Sequence, residues 1–213
     1  MAYLIASMMM YKYLKRNNMS RLERTFEMST HVLDSLNVPY ILSYGTALGV
    51  TRGNALIDYD DDVDLAIFYK DLKNIDMTTV LNRLSGMGFR GRAKNSLPYT
   101  YSCKGNFYPV LYQFDNVNTS IGLDIYILYE HGDKIWDFSG GGEKSGLGYS
   151  FPSNVNIPEV YYKKFDRKYR AFPREWLRVQ YGDDYEVPKV LSKGRKASKI
   201  NHNVEGCILP PPQ

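Results

Sequence analysis

Cysteine is scarce in this chain. Cys103 and Cys207 are the only two, too few for a disulfide framework and without the spacing of a zinc site, so a reduced compartment is the plain expectation. The three histidines, His31, His131 and His202, are scattered. None has a partner at ligand spacing, and each reads as surface or core rather than functional. No apolar run approaches the roughly 20 residues that a membrane-spanning helix needs. Met1–Met10 is apolar but brief, and Lys12, Lys15 and Arg16 follow it, whereas a signal peptide carries its positive charge before the apolar run. The segment is expected to be a terminal helix packed on the domain. A weak membrane-surface contact is the minority reading, and a cytoplasmic location is favoured. Charge of one sign is also lacking: the net value is +4, which gives no argument for nucleic acid but suits an anionic substrate. Two Asn-x-Ser sequons, at Asn18 and Asn118, matter only in a secretory pathway.

What is present is an ordinary globular composition. The chain has 213 residues, 44% hydrophobic and 23% charged, enough for one well-packed domain. The 19 tyrosines suit half-buried sheet faces and ligand pockets, since each pairs an apolar ring with a polar tip. Ser20-Arg21-Leu22-Glu23 has a capping-box pattern, and Leu22, Phe26, Leu33 and Leu36 follow at near-helical spacing. A helix is expected to about Leu36, ended by Asn37-Val38-Pro39. Tyr40–Ser43 reads as a short strand, Ala47–Arg52 as one or two helical turns, and Val63–Tyr69 as a buried strand. Val80, Leu81, Leu84 and Met87 predict a helix stopped by Gly88. Strands are expected at Tyr99–Cys103, Val110–Phe114 and Ile121–Tyr129, and a glycine-rich loop at 139–148. Pro173 starts a last helix that ends at Gly182. Helices and strands mix without a regular βαβ alternation, which predicts an α+β domain with a mixed or antiparallel sheet flanked by helices. The expected layout is a helical extension over residues 1–19, the domain over 20–188, and a basic, proline-ended tail over 189–213.

The chemistry concentrates at Asp58-Tyr59-Asp60-Asp61-Asp62-Val63-Asp64. An exposed acidic loop is the bland alternative, but Val63, Leu65, Ala66, Ile67 and Phe68 form a buried-type strand. Nothing apolar draws Asp64 into such a strand. Side chains alternate along it, so Asp62 and Asp64 point to one face. Carboxylates held side by side repel unless a cation lies between them, and hard oxygen ligands suit Mg²⁺ or Mn²⁺. Asp124 is a lone acid in a second apolar strand, Ile121–Ile127. If the two strands are neighbours, a shared metal site explains all three acids, because an unpaired charge in a strand core is expensive. Gly45-Thr46 begins a helix whose free N–H groups would bind phosphate. Asp61 joins that expected substrate-binding group, and Arg52 would reach a phosphate or a carboxylate.

Gly45-Thr46-Ala47-Leu48-Gly49-Val50-Thr51-Arg52 followed by Ile57 to Asp64 resembles the LicD family signature, Gly-Thr-x-Leu-Gly, an arginine, and an aspartate run ending Asp-Asp-hydrophobic-Asp. That family includes bacterial phosphocholine transferases and is related to fukutin and fukutin-related protein. Asp124-Ile125, Phe172-Pro173, Trp176-Leu177 and Tyr181-Gly182-Asp183 match its later segments, so the resemblance spans roughly residues 25 to 188. Tyr59 stands where the family usually has tryptophan, and Asn54-Ala55-Leu56 where basic or glycine residues are common. The resemblance implies a nucleotidyltransferase-like fold that transfers a phospho-alcohol, phosphocholine or a polyol phosphate, from a CDP-alcohol donor to a hydroxyl of a glycan or related acceptor. It implies that Asp62, Asp64 and Asp124 hold the metals, with Asp124 also helping to deprotonate the acceptor.

Two alternatives stay open: a true nucleotidyltransferase using a nucleoside triphosphate, and a non-catalytic nucleotide- or glycan-binding protein. Gly140–Gly146 is not a P-loop, since Glu143 replaces the required glycine before Lys144-Ser145. It reads as a loop from which Lys144 touches substrate. The basic stretches at Lys163–Arg170 and Lys193–Lys199 read as solvated faces, and with no accompanying nucleic-acid-binding motif, nucleic acid is not an expected partner.

Overall fold

The computed structural model describes residues 2–92, 98–103, 106–139, 147–188 and 202–203. Helix α1 (Ala2–Ser35) opens the chain. Its expected start at Ser20 is overturned: the helix runs unbroken through Ser20–Glu23, which cap nothing. The physical reason is that no glycine or proline lies between residues 2 and 35, so nothing breaks the hydrogen-bond ladder upstream. The stop is as expected, with Asn37 in the left-handed region at φ 53°. Strand β1 (Ile41–Leu42), helix α2 (Tyr44–Gly53) and strand β2 (Asp62–Phe68) follow. Next come α3 (Tyr69–Leu72) and α4 (Met77–Gly86). The start of α4 escaped the sequence reading: the Asp76 carboxylate accepts from the N–H groups of Thr78 and Thr79, an N-cap. Gly88 ends that segment at φ 90°.

The remaining elements are mostly strands. They are β3 (Phe89–Gly91), β4 (Tyr99–Cys103), β5 (Asn106–Asn116), β6 (Gly122–His131), β7 (Lys134–Asp137) and β8 (Leu147–Pro152). A two-stranded unit, β9 (Glu159–Tyr162) and β10 (Arg167–Arg170), precedes α5 (Arg174–Tyr181), and β11 (His202–Asn203) closes the described chain. Nine strands form one mixed sheet, with the path β1-β2-β6-β7-β8-β11 and with β3, β4 and β5 joined through β5 to β6. The pairing of β2 with β6 is parallel; the other strand pairs are antiparallel.

This is the α+β architecture expected, a mixed sheet flanked by helices. The central strands β2 and β6 are nearly continuous apolar runs, and Val63, Leu65, Ile67, Leu123, Ile125 and Ile127 are fully buried, as strands covered on both faces must be. Phe26 of α1 meets Tyr162, Phe165 and Tyr169 at ring-centroid distances of 5.5, 5.4 and 5.2 Å, fastening the β9–β10 unit to the helix. Phe172 donates its N–H to the Leu42 carbonyl at 2.9 Å, which returns the C-terminal segment to β1. Among the described residues no helix is long and apolar enough to cross a membrane.

Candidate active site

The parallel register of β2 and β6 builds the site. Asp62 lies opposite Gly122 and Asp64 opposite Asp124, so the two strands deliver their acids to one face. One carboxylate oxygen from each of Asp62, Asp64 and Asp124 can be chosen so that all three lie within 4.8 Å of one another. Asp64 and Asp124 are only 5% and 4% exposed. Asp60, Asp61 and Asp62 form a second cluster of the same tightness, sharing Asp62 with the first.

Each buried acid is held by its surroundings. Asp64 Oδ2 accepts from the Gly45 N–H at 2.8 Å, and the Asp64 N–H donates to Thr46 Oγ1 at 2.9 Å. Asp124 Oδ2 accepts from Gln113 Nε2 at 2.8 Å. The Tyr126 hydroxyl reaches Asp64 Oδ1 at 3.2 Å and Asp124 Oδ2 at 3.5 Å. Asp124 Oδ1 is buried with no hydrogen-bond partner, a costly state for a carboxylate oxygen. Asn18, from α1, donates Nδ2 to the carbonyls of Asp58 at 2.9 Å and Asp60 at 3.2 Å, fixing the loop that carries the aspartate run.

The electrostatics follow from crowding. Burial first, then the charges of Asp62 and Asp61, push the Asp60 carboxyl up to about 7. Burial, Asp124 and Asp61 push Asp62 up to about 6 against the pull of Arg92. Burial and the neighbouring carboxylates carry Asp64 well above the carboxylate range, opposed by the Gly45 N–H. Asp124 is raised by burial, with Gln113, Arg92 and Tyr126 pulling down. Four acids that all resist ionisation together form a strong demand for a positive charge.

The two signature glycines have separate steric reasons. A Cβ at Gly45 would lie 2.4 Å from Asp60 Oδ2 and 3.1 Å from Asp64 Oδ2, and one at Gly49 would lie 2.6 Å from the Ala55 carbonyl. Gly45 and Thr46, expected to cradle phosphate, are occupied in holding Asp64. Arg52 donates Nη1 to the Tyr185 carbonyl at 3.1 Å, tying α2 to the segment after α5. The end of α5 also approaches the site: burial, then Asp64, Asp60 and Asp62, raise the Tyr181 hydroxyl, and Arg52 opposes them. Lys144 lies outside the described residues. His31 and His131 are exposed. In the basic stretch before α5, Lys164 pairs with Glu23 and Lys168 with Glu159 at the surface, at 3.5 and 3.8 Å.

Sequence reasoning missed four neighbours of the acids. Gln113 interrupts the aromatic and apolar stretch Phe107–Phe114 of β5, and Tyr126 follows Asp124 by two along β6, the spacing that places it on the same face; these patterns could have found both. Asn18 and Arg92 gave no local signal, because only the tertiary fold brings them here. Arg92 Nε pairs with Asp115 Oδ1 at 2.8 Å, and its Nη2 lies where a Cβ at Gly122 would be, 2.7 Å away. Burial lowers the Arg92 pKa, but Asp115, Asp124 and Asp62 together raise it.

Residues 37–175 match the family described as LicD/FKTN/FKRP, nucleotidyltransferase domain. The chain belongs to this family. The LicD/FKTN/FKRP match covers every acid of the site and Gly45, Thr46, Gln113 and Tyr126. The chain is similar to the ribitol-5-phosphate transferase FKTN of Mus musculus, 29% identical over 134 residues, covering 62% of this chain and 25% of that protein. It is similar to the Homo sapiens protein of the same name, 25% identical over 175 residues, covering 76% of this chain and 32% of that protein. The chain thus spans a quarter to a third of the length of these relatives. Among solved structures, ANT(2″)-Ia in complex with adenylyl-2″-tobramycin overlaps 57% of each chain with 15% identity and a TM-score of 0.35. A CdnE c-di-GMP synthase from Capnocytophaga granulosa overlaps 79% of this chain and 44% of its own, with 15% identity and a TM-score of 0.32.

Proposed function

We propose that the chain transfers a phospho-alcohol unit from a nucleotide-activated donor, such as a CDP-alcohol, to a hydroxyl of a glycan or related acceptor. In this reading Asp62, Asp64 and Asp124 bind divalent cations, Mg²⁺ or Mn²⁺. The observation that carries it is Asp124, which has a buried carboxylate oxygen, Oδ1, without a partner and which, with Asp62 and Asp64, offers oxygens no more than 4.8 Å apart. An all-oxygen, multiply anionic donor set fits a hard divalent cation. The similarity to ribitol-5-phosphate transferases favours a polyol phosphate as the group moved.

When bound, the cation neutralises charge on the donor diphosphate and on the departing nucleotide. The chain's own residues orient and hold. Gly45 and Thr46 lock Asp64, Gln113 binds Asp124 Oδ2 and leaves Oδ1 without a partner, and Tyr126 spans the two acids. Arg92, set between the site acids and Asp115, is the side chain positioned to meet donor phosphate. The acceptor oxygen forms a new bond to the phosphorus bearing the alcohol, the bond from that phosphorus to the bridging oxygen breaks, and CMP leaves. Asp124 Oδ1 cannot serve a cation and a proton at once. We assign it to the cation, and the hydroxyl proton passes to water, since phosphoryl transfer depends mainly on positioning and charge stabilisation.

The test is product analysis. The protein is incubated with Mg²⁺ and a hydroxyl acceptor, and with CDP-ribitol, CDP-choline or each nucleoside triphosphate. Metal-dependent CMP release that disappears in Asp62→Asn supports the reading. Pyrophosphate release from a triphosphate assigns the chain to nucleotidyl transfer, and equal turnover by Asp62→Asn removes the catalytic role of the acids.

A further inference from the structure

Besides Asp64 and Asp124, the fold buries a third acid, close enough for its charge to reach Tyr126. Asp137, at the end of β7, is fully buried and is not among the clustered acids. It accepts the Ser139 N–H at 2.7 Å and the hydroxyl of Tyr44. Tyr44 is the first residue of α2 and is itself buried. Five non-glycine residues among those described have positive φ: Asn37, Asn54, Ser120, Asp166 and, at 38°, Tyr44. Four of them are small and polar, and three are the Asn or Asp that visit this region readily. A bulky aromatic does not, so its strain persists only where the surroundings impose it.

What the strained turn achieves is visible in the next residue. Gly45, directly after Tyr44, aims its N–H at Asp64 Oδ2, 2.8 Å away. The Tyr44 ring also rests on Tyr126, with centroids 4.5 Å apart, and Tyr126 in turn reaches Asp64 and Asp124. Phe172 meets the same ring edge-on at 5.2 Å. Two features that each cost stability, a buried carboxylate and a left-handed tyrosine, therefore meet in one hydrogen bond. From it, two short routes lead to the site acids, one through the Gly45 backbone and one through the Tyr126 ring.

We infer that the Tyr44–Asp137 hydrogen bond is a brace that positions Gly45 and Tyr126, and through them Asp64 and Asp124, for cation binding. Tyr44 and Asp137 are positioning residues and touch no substrate. The inference rests on the proposed metal role of the site acids. An outer group that orients a ligand typically accounts for about 10- to 100-fold in metal affinity, and the brace belongs to that class.

The test measures Mn²⁺ binding directly by electron paramagnetic resonance, with no donor or acceptor present. Tyr44→Phe keeps the ring and deletes the hydroxyl; Asp137→Asn keeps the shape and removes the charge. Leu84→Ala, in the α4 core, is the control for general destabilisation. The expected result is that Tyr44→Phe weakens Mn²⁺ binding about tenfold or more. The double variant should be no weaker than Tyr44→Phe alone, because both changes act on one bond. Leu84→Ala should bind as the wild type does. Unchanged affinity in Tyr44→Phe, additive losses, or an equal loss in Leu84→Ala would each overturn the brace. If Tyr44→Phe does not fold, Asp137→Asn carries the test: weaker binding than the control supports the brace and wild-type affinity overturns it. Absence of Mn²⁺ binding by the wild type would instead overturn the metal role itself, and that result is distinguishable because it needs no variant.

Discussion

Asp64 and Asp124 sit directly opposite each other in the parallel β2–β6 pair, so two carboxylates from strands 60 residues apart in sequence share one face of the sheet. Asp62, two positions before Asp64 on the same strand, joins them. The arrangement places negative charge where the fold is otherwise apolar.

Neutralising one of these acids should separate stability from activity. Asp62→Asn and Asp124→Asn are expected to lower metal-dependent turnover by roughly 100-fold or more, the scale of losing a key electrostatic group. Without metal, both should melt at or above the wild-type temperature, because a like-charge contact is removed. Product release and thermal melts in EDTA check both halves.

The two signature glycines should fail in different ways. In Gly45→Ala the new methyl meets the ends of two carboxylate side chains, which can move, so the protein folds while the acids are displaced and turnover falls. In Gly49→Ala the methyl meets the Ala55 carbonyl, 2.6 Å away, and the Ile57 N, 3.0 Å away. Backbone cannot yield as easily, and a loss of roughly 1–3 kcal/mol is expected, as for overpacking. Urea melts beside turnover measurements distinguish the two.

Gln113→Leu leaves the Asp124 carboxylate without its amide donor. Cation affinity should fall about tenfold or more, the usual effect of losing a partner that orients a ligand. Titrating Mg²⁺ against thermal stability reads this out, since a ligand that binds only the folded state raises its stability.

The metal-free protein should become less stable as pH rises. Asp60 and Asp62 titrate near 7 and 6 in the folded chain against an ordinary value of 3.8, and Asp64 and Asp124 are raised as well. Between about pH 4 and pH 7 the folded state therefore binds more protons than the unfolded chain, and unfolding free energy falls as pH rises through that window. The part due to Asp60 and Asp62 is complete below about pH 4 and lost above about pH 7. Saturating Mg²⁺ should reverse the trend, because it binds ionised carboxylates. Melting curves in EDTA and in Mg²⁺ across the window give the sign directly; a metal-free melting temperature that climbs from pH 5 to 7 would contradict it.

The acids of β2 and β6 were legible because alternation and apolar flanks are local patterns: Val63 and Leu65 around Asp64, Leu123 and Ile125 around Asp124. Their partnership required only that two such strands be neighbours. Asp137 was not legible, since Lys134-Ile135-Trp136-Asp137 is too short to distinguish from a loop edge without β6 and β8 beside it. The start of α1 was misplaced because a capping box is a local signal, and it cannot act where the preceding turn is already helical. Gly45 and Arg52 were read as free to bind ligand, yet the fold engages them with Asp64 and Tyr185, contacts made across 19 and 133 positions of sequence.

The most direct test of the metal site is a crystal soaked in Mn²⁺ and measured at a wavelength where manganese scatters anomalously. The expected result is a peak in direct contact with carboxylate oxygens of Asp62, Asp64 and Asp124, one of them Asp124 Oδ1, and no such peak in Asp62→Asn. A peak elsewhere on the protein, with these three carboxylates turned apart and bound to nothing, would contradict it.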